Sequence, residues 1–202
     1  MKKLLMGLVV MTLVMAIAAP ANAQSKLHLN IGANVELPLG SFGDAHGVGF
    51  GGTVQGEYLF MPQLFGTAKL GYLVWGGKDI TEEGHTISTG SYKGVPFLVG
   101  GKYFFMPQKA NTIQWYGQVE IGLFFGSYTV PAIPGYTIPG FGTVGGTPET
   151  SASSTDFVFS PSVGMEYPMS KGSLDASINY FLIASTGSAG SIGLRVGYKF
   201  PL

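Results

Sequence analysis

The chain has 202 residues, 46% of them hydrophobic and only 11% charged, with 11 Lys plus Arg against 11 Asp plus Glu. A typical soluble domain is about 25% charged, and no basic cluster exists beyond the first three residues, so nucleic-acid binding has no electrostatic footprint. The lack of Cys excludes a disulfide framework and a thiolate metal site, and the 32 Gly follow no collagen period.

The chain opens with a targeting pattern. Lys2 and Lys3 give a positive start, Leu4 to Ala18 is an apolar run, and Pro20 ends it. Ala21-Asn22-Ala23 then presents small residues to a peptidase. This predicts a cleaved signal peptide over residues 1–23 and one domain over 24–202. The apolar run is short of the roughly 20 residues a helical span needs. No later stretch is long and apolar enough to be one.

Period-2 alternation then recurs eight times. Lys26 to Leu37 puts Leu27, Leu29, Ile31, Ala33, Val35 and Leu37 on one face and polar residues on the other. A Gly-rich loop over Pro38 to Gly47 follows. Val48 to Phe60 is the second strand. A tight turn at Met61-Pro62-Gln63 leads into the third, Leu64 to Trp75. Gly76 to Ser91 reads as a polar loop. Tyr92 to Phe105 is the fourth strand, in which Pro96 predicts a bulge or an extension beyond the regular ladder. Thr112 to Ser127 is the fifth, and Tyr128 to Thr155 is the longest irregular stretch. Asp156 to Tyr167, Ser173 to Ile183 and Ser191 to Phe200 complete the set, with Pro161 awkward inside the sixth strand.

Two strands end in near copies of one phrase. Glu57-Tyr58-Leu59-Phe60-Met61-Pro62-Gln63 is matched by Lys102-Tyr103-Phe104-Phe105-Met106-Pro107-Gln108. In each, Pro stops the ladder because it has no N–H to give. Connections alternate long and short. An even number of strands joined this way describes an up-and-down meander that closes into an all-β, eight-stranded antiparallel barrel.

Three features place the apolar face outside, against lipid, rather than inside a soluble barrel. The opposite face is mostly Gly, Ser, Thr, Asn and Gln, with fewer charges than a wetted exterior carries. Aromatics gather at strand ends: Tyr58, Phe60, Tyr103, Phe105, Tyr167, Tyr198 and Phe200 form one interfacial girdle, with Phe50, Tyr72, Phe125 and Tyr180 available for the other. The apolar face is read as free of charge in every strand. A Lys there at mid-bilayer would cost about 2–4 kcal/mol.

Taken together, these strands resemble the eight-stranded bacterial outer-membrane barrels of the OmpA, OmpX and OmpW type. The stretches that carry the resemblance are Pro38-Leu39-Gly40-Ser41-Phe42-Gly43-Asp44-Ala45, Gly47 to Gly52 and Glu57-Tyr58. The last strand is similar to a barrel-insertion signal up to Tyr198 and Phe200, with Pro201 and Leu202 following. The resemblance implies the bacterial outer membrane, a lipid surround, and assembly machinery that reads the C-terminal strand. It also implies short turns in the periplasm and long loops outside.

The polar face carries Glu57, Lys69, Lys102, Glu120, Glu166, Asp175, Arg195 and Lys199. A barrel of about eight strands is only wide enough for side chains to fill it, and buried charges must be paired. The expectation is an ion-paired plug, densest around Glu57, Lys102, Glu166 and Lys199. His28, His46 and His85 read best as solvated or hydrogen-bonded, and Asp79, Glu82 and Glu83 as a wetted loop. No catalytic residue, metal site or cofactor is read here. The function expected is structural or surface-interacting, with the loop at 128–155 a candidate for a surface ligand. Two alternatives stand: a narrow channel for small or hydrophobic solutes, as the OmpW resemblance implies, and a lipid-modifying enzyme.

Overall fold

A computed structural model describes residues 26–82, 85–107, 111–132, 135–138, 142–184 and 189–202. The signal peptide expected over 1–23 lies outside these residues, as does Glu83. The elements in chain order are β1 (Leu27–Leu39), α1 (Gly40–Ala45), β2 (His46–Met61), β3 (Leu64–Gly77), β4 (Asp79–Glu82), β5 (His85–Ser88), β6 (Ser91–Phe104) and β7 (Gln114–Val130). They continue with β8 (Tyr136–Ile138), β9 (Gly142–Val144), β10 (Thr150–Met169), β11 (Gly172–Ala184) and β12 (Ala189–Pro201).

Among the described residues, eight of these strands form one closed antiparallel barrel in the order β1-β2-β3-β6-β7-β10-β11-β12. The barrel shuts where β1 meets β12, in unbroken register from His28 opposite Pro201 to Leu39 opposite Gly190. Closure leaves no sheet edge within the wall, which a strand in lipid requires. The alternation fixes which way the wall faces. Ile31, Val35, Phe50, Val54, Leu70, Phe97, Val99, Ile121, Val163, Ile178 and Leu194 are exposed on the outside. Asn30, Thr53, Gln55, Gln118, Ser160 and Asn179 are buried on the inside.

Several features differ from the sequence-based expectation. The first long connection contains α1, and β2 begins at His46. The second contains the β4–β5 hairpin and the third the β8–β9 hairpin. Pro96 makes no bulge. The β3–β6 pairing lapses after Leu70 opposite Phe97 and resumes at Leu73 opposite Gly94 in the same register. Pro161 is handled alike, between Phe159 opposite Leu182 and Ser162 opposite Asn179. Each Pro has its missing donor on one neighbour's side only, while pairing with β7 runs through Pro96 and Pro161 without a shift. The outer face does carry one charge within a strand: Lys93 of β6 is exposed between the inward Tyr92 and Gly94. It lies near the long-loop end of its strand, where a charge costs only about 0–1 kcal/mol.

Glycine serves as a saddle for aromatic rings. The Phe60 ring lies across Gly66, so that a Cβ on Gly66 would sit 2.3 Å from a ring carbon. Inside, Trp75 lies across Gly49 in the same way, at 2.4 Å from its indole nitrogen.

The rim is uneven. Pairing of β6 with β7 reaches Ser91 opposite Thr129, and β7 with β10 reaches Val130 opposite Thr150. Pairing of β10 with β11 stops at Phe157 opposite Ala184. With 20 residues, β10 is about twice the roughly 9–11 that cross a bilayer, so its first part stands clear of the wall.

Candidate functional site

The lumen gathers chemically active side chains from every wall strand. It is built in layers. At the short-turn end lie Phe65, Phe104 and Tyr116, with Leu59 packed against them. Their rings meet edge to face, at 5.6 Å for both Phe65–Phe104 and Phe104–Tyr116.

Next comes the ionic layer. Lys102 is fully buried, and its Nζ donates to Glu57 Oε1 at 3.1 Å, to Asp175 Oδ2 at 3.3 Å and to Glu166. The same ammonium stands 4.1 Å from the centre of the Tyr116 ring, and the Tyr116 hydroxyl donates to Asp175 Oδ2 at 3.0 Å. Lys199 bonds Glu166 and approaches Glu57 Oε2 at 3.8 Å. Arg195 uses its whole fork: Nη1 to Asp175 Oδ1 at 2.8 Å, Nη2 to Asn30 Oδ1 at 2.8 Å and Nε to Thr53 Oγ1 at 2.9 Å. Lys69 pairs with Glu120, which also accepts from Thr67 at 3.2 Å. Charges taken out of water are tolerable only when paired and hydrogen-bonded to this degree. A pocket of about 290 Å³ opens at the short-turn end and is lined by Glu166 and Lys199.

Glu36 belongs to the lumen as well, although the sequence reading did not count it among the charged set. It is buried and accepts from Ser191 at 2.7 Å and Asn179 at 3.3 Å. Its place in the alternation of β1, opposite Val35 and Leu37, was the available signal.

The upper lumen was missed altogether. Leu73, Trp75, Leu98, Phe124, Val158, Phe181 and Ile183 form one buried apolar cluster there. Phe42 of α1 comes down onto it, 5.5 Å from Trp75 and 5.7 Å from Tyr92 between ring centres. Lys78 and Thr89 hold α1 in place: Lys78 Nζ reaches Gly43 O at 2.5 Å, and Thr89 Oγ1 reaches Ala45 O at 2.5 Å. His46, read as solvated or hydrogen-bonded, is buried against Phe42 at 4.6 Å, with Tyr92 and Tyr128 near it and its Nδ1 3.3 Å from Phe42 O. His28 is half-buried and packs on Phe65 at 5.7 Å. Asp79, Glu82 and His85 lie on the β4–β5 hairpin. Among the described residues, no group of three or more His, Asp and Glu is placed to hold a metal ion.

Outside, Tyr58, Phe60, Tyr103, Phe105, Tyr167 and Phe200 are exposed, and Tyr198 is half-covered by its contact with Phe200 at 4.7 Å. Phe105 lies just past the end of β6, its N–H bonded to Trp115 O at 3.0 Å. Phe50, Tyr72, Phe125 and Tyr180 are exposed toward the other end.

The family model described as "Outer membrane protein beta-barrel domain" matches residues 8–200. The chain belongs to that family. Among solved structures it is similar to Ail, the attachment invasion locus protein of Yersinia pestis, with 15% identity, a TM-score of 0.54, and coverage of 88% of this chain and 100% of that one. It is likewise similar to Neisserial surface protein A, with 15% identity, a TM-score of 0.58, and coverage of 88% and 98%. No curated protein matches the sequence. Members of the outer membrane barrel family lie in the bacterial outer membrane, and this chain is an outer-membrane protein. In such barrels short turns face the periplasm and long loops face outward. The ionic layer is therefore nearer the periplasm, and the apolar layer with α1 lies toward the extracellular mouth.

Proposed function

We propose that this protein is a closed-lumen surface barrel: its wall anchors it, its interior is a plug, and its extracellular elements make contacts. The observation that carries the reading is the stacking of two different seals in one lumen. Lys102 binds three carboxylates across the barrel, and above it lies the buried apolar cluster from Leu73 to Ile183. An ion crossing this lumen would have to break the first and wet the second.

The signal peptide over 1–23 would deliver the chain to the periplasm. The last strand, ending Tyr198-Lys199-Phe200, would be the segment read by the assembly machinery. The region 128–155 suits surface contact, because its flanks in β7 and β10 pair beyond the last β10–β11 pair. The attachment named for the Yersinia pestis protein and the surface location named for the Neisserial one are consistent with this role.

Planar-bilayer recordings on the refolded protein test the closed lumen. The expected trace shows no steady conductance. Large, steady single-channel steps would overturn the reading in favour of a conduit.

A further inference from the structure

Above the wall, β10 has one edge that pairs with no strand among the described residues. Residues Thr150 to Asp156 pair with Val130 to Phe124 of β7 on one side. On the other side, pairing with β11 begins only at Phe157, and no backbone bond is made there by Thr150 to Asp156 among the described residues. The edge reads Thr150-Ser151-Ala152-Ser153-Ser154-Thr155, exposed throughout. Natural edges are usually guarded by Lys, Pro, a bulge or a cover. From Thr150 to Thr155 there is no charge and no Pro, and pairing with β7 shows no register shift.

We propose that this edge pairs with the same edge of a second copy of the chain, held in an opposing membrane. An antiparallel pair of identical strands has its two-fold axis perpendicular to the sheet, so one residue faces itself. Centred on Ala152, the pairing sets Ser151 against Ser153, Thr150 against Ser154 and Glu149 against Thr155. Hydroxyls then face hydroxyls, which favours pairing, and no like charges meet. The product is a continuous sheet made of β6, β7 and β10 from each copy.

The geometry selects opposing membranes. Two barrels in one membrane are related by an axis along its normal. Their rising strands then cross at no more than about twice the 35–45° tilt of such strands, and cannot run antiparallel. Copies on facing membranes meet head-on and can. One strand pair buries far less than the roughly 1,600 Å² of a standard interface, so a single contact is weak and the effect arises from many copies acting together. The inference rests on the surface-contact reading, but its failure would leave the closed lumen untouched.

The test uses phosphatidylcholine vesicles carrying the refolded protein with long loops outward, checked by protease cutting, in two fluorescent colours. Clustering is read by fluorescence cross-correlation. Wild-type vesicles are expected to cluster in proportion to protein density. Ala152→Lys or Ala152→Glu alone should reduce clustering at least about tenfold, because like charges then oppose at the two-fold. Mixing the Lys vesicles with the Glu vesicles should restore it. Heat-shifted gel mobility confirms that each variant keeps its barrel. Unclustered wild-type vesicles, undiminished clustering of the Lys variant, or failure of the mixed pair to recover would each overturn the proposal. The first of these is also the outcome expected if the edge receives a different polypeptide.

Discussion

Lys102 Nζ stands 3.1 Å from Glu57 Oε1, although 45 residues separate them. The two residues head the two copies of the repeated phrase, Glu57-Tyr58 and Lys102-Tyr103. The repeat sends its aromatic residue outward to the lipid boundary and its charged residue inward. Because the charges are opposite, the two strand ends are tied through the lumen, across the intervening β3.

Replacing Lys102 with Met removes a cation shared by Glu57, Glu166 and Asp175. Breaking a buried pair and leaving its partner unpaired costs about 3–5 kcal/mol. The variant should unfold from detergent micelles at a clearly lower urea concentration. Adding Glu57→Gln should recover part of the loss, since without Lys102 that carboxylate keeps only the 3.8 Å approach of Lys199 as its cation. An unchanged midpoint for Lys102→Met would show that the layer is solvated.

The apolar layer should be as costly to open. Phe124 is fully buried, with Tyr92 at 5.5 Å, Phe181 at 6.0 Å and Trp75 at 6.1 Å between ring centres. Phe124→Ala should destabilise by about 3–5 kcal/mol through lost burial and the cavity left behind. The same urea series measures it.

Two glycines give a contrasting pair. A Cβ on Gly122 would sit 2.0 Å from Phe97 O, which is backbone and cannot turn aside. Gly122→Ala should cost about 1–3 kcal/mol as overpacking. On the lipid face, a Cβ on Gly52 would meet nothing nearer than 3.8 Å. Gly52→Ala should stay within about 0.5 kcal/mol of wild type. Equal costs at the two positions would contradict the strand approach described here.

Lys93, the one outward charge found within a wall strand, marks depth. If it lies at the rim, Lys93→Leu should change stability by less than about 1 kcal/mol. A gain of about 2–4 kcal/mol would instead place this residue near mid-bilayer and lower the whole barrel in the membrane.

The wall was legible because its cause is local. Period 2 follows from backbone geometry, and lipid outside demands apolar residues at alternate positions. The charged inner residues could be assigned by the same count. The upper lumen was not legible for a related reason: where Leu73 and Trp75 alternate with Tyr72 and Val74, both faces are apolar and the alternation carries no sign. Phe181 and Ile183, beside Tyr180 and Leu182, repeat this. The helix α1 gave little signal because its six residues include Gly40 and Gly43, poor helix formers, and its position depends on Lys78 and Thr89 from a distant loop. Pairings such as Arg195 with Asn30 and Ser191 with Glu36 depend on the closure of β1 on β12, which no local pattern contains.

If the two layers seal this lumen, water does not reach its middle. The chain has no Cys, so a single Ser160→Cys variant reports on one site. Ser160 is 2% exposed and shares the inner face with Glu120 opposite it. Its rate of reaction with a small water-soluble thiol reagent, compared with Ser153→Cys on the exposed edge of β10, is the most direct measurement. A filled lumen predicts labelling slower by about 100-fold or more, as for a group reached only through local opening worth several kcal/mol. Comparable rates at the two positions would contradict it.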